Sequence, residues 1–77
     1  MDLKKMGRYC QRFRKRHLKM TQTEFGKLVG YSDKTISAFE RGRVNNARLL
    51  LEYIELGFDV RGLFYGTFTN NDWLNNL

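Results

Sequence analysis

The sequence predicts an all-α fold, a compact bundle of about five short helices, on three observations. Apolar residues recur at intervals of three and four in Leu3, Met6, Cys10 and Phe13, in Phe25, Leu28 and Val29, and in Leu49, Leu50, Tyr53 and Ile54; that is the helical period. Gly30 and Gly57 close the second and third of those stretches, and Gly42 closes the one around Ile36 and Phe39, because glycine enters the left-handed conformation without a Cβ clash. The 77 residues hold no proline, and six Phe, four Tyr and one Trp give a small core bulky side chains to bury. A chain of this length makes one domain.

The first helix is expected to start at Asp2 and to bury Leu3, Met6, Cys10 and Phe13. Lys4, Lys5, Arg8, Arg12, Arg14, Lys15 and Arg16 lie between them. A basic amphipathic helix can lie on a membrane. This stripe is narrow and the following helices need a partner, so a core-packed helix is expected, most of its charge a solvated face. Lys15 to Met20 then form a link, with Met20 packing just before the next helix. Thr21 and Glu24 form a capping box: the threonine caps the start while Glu24 reaches back to the backbone N–H of Thr21. Phe25, Leu28 and Val29 face inward, and Gly26 supplies the small residue that a close helix crossing needs. After Gly30, Ser32 caps the next helix and Asp33 sits at its positive end. Ile36 and Phe39 turn inward, so Asp33, Lys34, Ser37, Ala38 and Arg41 turn outward. Asn45 or Asn46 caps a fourth helix, in which Leu49, Leu50, Tyr53, Ile54 and Leu56 make the apolar side.

Two short helices joined by a tight turn, the second presenting polar residues, form a helix-turn-helix. The run T-Q-x-E-F-G…V-G-x-S…T-I-S-x-F-E-R-G, from Thr21 to Gly42, resembles the Cro/repressor type of helix-turn-helix, a lambda-repressor-like fold found in phage repressors, plasmid regulators and small bacterial transcription factors. The likeness extends from Met6 to Gly66. It implies a helix-turn-helix domain over residues 1–66, with a short fifth helix near Phe58 to Gly66. There Asp59 would be the cap and Val60, Leu63 and Phe64 would pack, and the family often forms dimer contacts in this region. Gly62 costs that helix about 1 kcal/mol relative to alanine. Residues 67–77 lie outside the likeness. They form a tail that frays, folds back, or buries Trp73 against a second subunit or another protein, and an ordered contact is the expectation.

The resemblance also implies an ion pair between an arginine late in the first helix and the glutamate that ends the recognition helix. Glu40 is that glutamate, and Arg14, next to apolar Phe13, is the expected partner. The spacing departs from the family by one residue: ungapped counting puts Lys15 in the arginine's place, and the link is expected to be one residue longer.

Net charge is +6, from 14 basic and 8 acidic residues. This favours polyanions through Coulomb attraction and counterion release. It also suits an anionic membrane surface or an acidic protein, so the motif decides. No apolar run reaches the length that spans a bilayer, and the start of the chain has no signal-peptide pattern. A single cysteine, Cys10, suits a reducing cytoplasm and is expected in the core. His17 has no second ligand at metal-site spacing. Neither a metal nor a cofactor is expected. With one His, one Cys and no glycine-rich phosphate loop, an enzyme is not expected either.

The expected function is sequence-specific binding of double-stranded DNA by a transcriptional regulator, a small phage or plasmid-type repressor in a bacterial cytoplasm or nucleoid. By resemblance, Gln22 binds a backbone phosphate and braces the recognition helix. Lys34 is the candidate for a guanine contact. Thr35 and Ser37 suit a phosphate or a base edge, and Ala38 a thymine methyl or simply a close approach. Arg41 and Arg43 suit phosphates. Most of the charge of the first helix is expected near the DNA backbone rather than in specific readout. Arg48 reaches the minor groove or a phosphate, or is an ordinary exposed arginine. Asp33 departs from the neutral polar residue common in relatives. It either accepts from cytosine N4 or only complements the helix dipole. One helix reads few base pairs, so a homodimer on a palindromic operator is expected, with half-sites ~34 Å apart. Alternatives of the same fold are an antitoxin, with a toxin bound near Trp73 and Leu74, and a restriction–modification controller. A protein-interaction module that has lost specific DNA binding is the alternative of another class.

Overall fold

The computed structural model describes residues 2–61. The expected fifth helix beyond Arg61, and the tail with Trp73, lie outside the described residues. Within them the chain forms α1 (Leu3–Arg12), a π-helical segment (Phe13–Leu18), α2 (Gln22–Val29), α3 (Asp33–Glu40) and α4 (Ala47–Glu55). The described residues are thus all-helical, as expected.

Asp2 starts α1, its Oδ1 accepting from the Lys4 backbone N–H at 2.9 Å. Met6, Gly7 and Cys10 are the buried residues of this helix. The segment expected as a link is instead helical and widened. The backbone N–H of Lys19 donates to the Arg14 carbonyl, five residues back, and that of Met20 donates to the same oxygen at 3.1 Å. A π turn holds one residue more than an α turn. The extra residue is therefore absorbed in the helix wall, while Phe13 and Arg14 stay buried. Lys19 ends the segment in the left-handed conformation, with φ of 56°, which is unusual for a residue with a Cβ.

The capping box of α2 is complete. Thr21 Oγ1 accepts from the Glu24 N–H at 3.1 Å, and Glu24 Oε1 accepts from the Thr21 N–H at 2.9 Å. These bonds hold the Glu24 carboxyl below its ordinary range. Two details of this helix differ from expectation. A Cβ on Gly26 would lie 2.3 Å from the Tyr31 carbonyl oxygen, so the glycine makes room for the turn backbone rather than for α3. That contact sets the phase of α2. Phe25 and Gly26 are buried and Val29 half-buried, which rotates Leu28 outward to 55% exposure.

Ser32 caps α3, its Oγ accepting from the Thr35 N–H at 3.2 Å. Asn46, rather than Asn45, caps α4 by accepting from the Leu49 N–H at 3.0 Å. Leu49 and Tyr53 are the fully buried residues of α4. The Tyr53 ring lies between Phe25, at 4.6 Å between centroids, and Phe39, at 5.6 Å. Phe58 follows Gly57 into the core and meets Phe13 edge-on at 5.6 Å. Val60 also packs against the core, as expected, while Leu63 and Phe64 lie outside the described residues. Asp59 Oδ1 accepts from the Arg61 N–H at 3.0 Å, as a cap would.

α1 lies against the end of α3, backbone to backbone. A Cβ on Gly7 would stand 2.5 Å from the Glu40 carbonyl oxygen, and one on Gly42 would stand 2.6 Å from the Lys4 Cα. This approach fixes where α3 ends and hence where its outward side points.

Candidate nucleic-acid interface

The outward side of α3 rests on a buried ionic cluster. The Arg14 guanidinium donates to Glu40 through Nε–Oε2 and Nη2–Oε1, both at 2.8 Å, and through Nη1 to the Met20 carbonyl at 2.7 Å. Arg14, not Lys15, is therefore the partner of Glu40, and Lys15 is exposed. Glu40 also accepts from Gln22 Nε2 at 3.1 Å and from the Tyr53 hydroxyl at 2.6 Å. Four donors meet the roughly four lone-pair sites of one carboxylate. Among the described residues no buried side-chain polar atom lacks a partner.

The electrostatics follow from this arrangement. Burial alone would lower the Arg14 pKa, but the hydrogen bonds and charge of Glu40 outweigh it and hold the guanidinium above its usual value. Burial, then the charge of Glu40, pushes the Tyr53 hydroxyl far up, and the same two causes push up the Cys10 thiol. Both stay protonated donors or neutral groups, and the cluster carries one positive and one negative charge.

The cluster joins four of the five described helical segments: the π segment through Arg14, the start of α2 through Gln22, the end of α3 through Glu40, and α4 through Tyr53. Sequence reasoning missed Tyr53, reading it as an apolar residue. The legible signal was a lone tyrosine among leucines on a buried stripe, because a buried hydroxyl needs a partner. It also missed Gly7, whose signal was a glycine inside an otherwise basic helix.

The remaining candidates fall on or beside α3. Asp33, Lys34 and Arg41 are exposed and Ser37 and Ala38 half-buried, all on the side opposite Ile36 and Phe39. The Thr35 hydroxyl is within 3.0 Å of Ser32 Oγ, so its side chain belongs to the cap. Arg43 is exposed in the turn after α3, and Arg48 is exposed in the first turn of α4. The Gln22 amide spends one N–H on Glu40 and keeps its second N–H and its carbonyl oxygen. Lys34, Arg41, Arg43 and Arg48 make no ion pair with a described residue. Such a surface offers free cations at its rim and small polar groups at its centre, which suits a polyanion with readable edges.

His17 is exposed and stacks on Phe13 at 4.9 Å, and no metal-binding group of side chains occurs among the described residues. No described helix is long and apolar enough to cross a membrane. A family model described as helix-turn-helix matches residues 11–57, more than half of the chain, from the last turn of α1 to Gly57. No curated protein and no solved structure gives a significant match.

Proposed function

The chain belongs to this helix-turn-helix family of DNA-binding regulators, of the Cro/repressor type, and on that premise we propose that it is a sequence-specific repressor that reads the major groove with α3. One observation carries the reading. The outward side of α3 is short and polar, and Glu40, its last residue, is held by four donors from three other parts of the bundle. A reading helix must be positioned before it meets DNA, because positioning energy spent at binding is lost from affinity.

In this mechanism Arg41 and Arg43 grip phosphates and set register without reading sequence. Gln22 presents its free amide groups to a phosphate while its bond to Glu40 braces α3. Lys34 donates to guanine O6 and N7, and Ser37 and Ala38 meet base edges, Ala38 against a thymine methyl. Thr35 contributes through the cap, and Arg48 holds a phosphate at the groove edge. Asp33 accepts from cytosine N4. The working form is a homodimer on a palindromic operator, with half-sites ~34 Å apart, acting in a bacterial or phage-infected cytoplasm without enzymatic activity.

Selection from random duplex DNA at near-physiological salt tests the reading. Enrichment of a palindrome with half-sites one helical turn apart is the expected result. Binding that enriches no motif and fades steeply with salt would reduce the contact to backbone electrostatics. A protein partner would then become the leading function.

A further inference from the structure

From Leu3 to Leu18 every charged side chain is basic, and only Arg14 is ion-paired with a described residue. The rest are exposed or, for Arg12, half-buried. Gly7 faces the last carbonyls of α3, and Lys5, Tyr9 and Arg12 occupy the opposite side of α1 by helical spacing. The Lys5, Tyr9 and Arg12 side therefore points away from the end of α3 that Gly7 meets, with Arg8 at its edge and Lys4 nearer Gly42. A shallow groove of about 340 Å³ runs along it, lined by Asp2, Lys4, Lys5, Arg8, Tyr9 and Arg12. The one acid there, Asp2, has its carboxylate engaged by backbone N–H groups of α1.

Three features say what fits. Lys4, Arg8 and Arg12 follow one another at four-residue spacing, about 6 Å apart along the helix axis. Such like-charged neighbours repel one another, and a bound polyanion would relieve that repulsion. The Tyr9 ring has the Lys5 Nζ at 6.0 Å and the Arg12 Cζ at 5.9 Å, within cation–π reach, which holds two of the cations in place beforehand. The apolar side of α1 is already buried through Met6 and Cys10, so the helix cannot insert in a bilayer by that side. A run of cations along one helix suits the dense, regular charge of a duplex backbone, whose condensed counterions it would release.

We propose that the Lys5–Arg8–Arg12 side of α1 is a second, sequence-independent duplex-binding surface, through which one protomer holds a second stretch of DNA while α3 occupies the first. The proposal rests on the DNA-binding reading for the identity of the first duplex. In the test, the full chain is mixed with bead-bound duplex and a fluorescent duplex in solution. The parent is compared with the triple variant Lys5→Gln, Arg8→Gln, Arg12→Gln. The parent should retain the fluorescent duplex. The variant should bind the bead-bound duplex but retain at least about ten-fold less of the other, and its total salt slope should fall by about 2.7 for three phosphate contacts. Its thermal midpoint should stay close to the parent's, since the lost cation–π contacts and the relieved repulsion oppose each other, which separates the effect from unfolding. Equal retention by the variant would assign bridging to another surface, such as the two reading helices of a dimer, and would overturn the proposal. Retention of anionic phosphatidylserine vesicles without any second duplex would overturn it in favour of a membrane surface. If the parent binds no duplex at all, the DNA-binding reading falls; if it binds one and never a second, only this inference falls.

Discussion

Tyr53 donates its hydroxyl to Glu40 at 2.6 Å, and this bond ties α4 to the last residue of the helix proposed to read DNA. It explains why a tyrosine stands where the stripe of α4 would otherwise take phenylalanine. Tyr53→Phe should leave the packing against Phe25 and Phe39 intact and cost about 1.5–3 kcal/mol, the range for hydrogen bonds to charged groups. Arg14→Met, which strands the buried carboxylate, should cost about 3–5 kcal/mol. The double variant Arg14→Met, Glu40→Leu should recover part of that loss, because no charge remains unpaired, while the Tyr53 hydroxyl loses its acceptor. Urea unfolding of the four proteins checks this. A double variant no more stable than Arg14→Met would show that the pair shapes the bundle beyond its own charges.

The π segment makes its own prediction. Arg16 is exposed within it. Deleting Arg16 should let the turn close as an ordinary α-helix, with Arg14 and Met20 still in contact. Stability should stay within about 1 kcal/mol of the parent by urea midpoint, since the wide turn contains one residue more than an α turn needs. Loss of helical circular dichroism would instead make the wide turn a requirement of the fold.

Alkaline pH should weaken the fold. Folding raises the pKa of Cys10 above its ordinary 9.0 and that of Tyr53 above 10.0. The stabilisation from each is complete below the unfolded value and is lost as pH rises towards the folded one. The unfolded chain releases protons that the folded chain keeps. Unfolding free energy should be flat near neutrality with respect to these groups. It should then decline from about pH 9, at up to about 1.4 kcal/mol per pH unit for each ionising group. Cys10→Ala should delay the onset towards pH 10.

At the interface, phosphate grips and base readers separate by how substitution acts. Arg41→Ala should weaken binding to all duplexes alike and lower the salt slope by about 0.9. Lys34→Ala should cost about 1–3 kcal/mol of discrimination at one base position and little elsewhere. Asp33→Asn should change preference at a neighbouring position; an unchanged profile would leave Asp33 only its role at the helix dipole. Binding selections with each variant give these profiles directly.

Helix starts were the most legible part of the sequence, because a cap is a local exchange between neighbours. Asp2, Thr21 with Glu24, and Ser32 all act as the order of residues implies. The Arg14–Glu40 pair was legible only through resemblance, since 26 positions separate its members. What stayed hidden depends on three-dimensional approach. Leu28 fits the helical period as well as Val29 does, and only the contact of Gly26 with the Tyr31 carbonyl decides which faces out. Gly7 has no visible purpose until α3 arrives beside it. The one-residue mismatch before Thr21 was readable as a length, but a length does not say whether a loop or a helix absorbs it.

That mismatch bears on how such a chain can change size. A residue added to a loop gives slack, and slack would let the cap at Thr21 drift from the carbonyl of Met20 that Arg14 holds. Stored as a bulge in a helix wall, the surplus leaves backbone groups bonded and both flanks in phase. Neither side of the bulge must be rebuilt. The stretch between Arg14 and Lys19 is therefore expected to act as an expansion joint, where loss of the surplus residue leaves the buried cluster and the helix that rests on it in place.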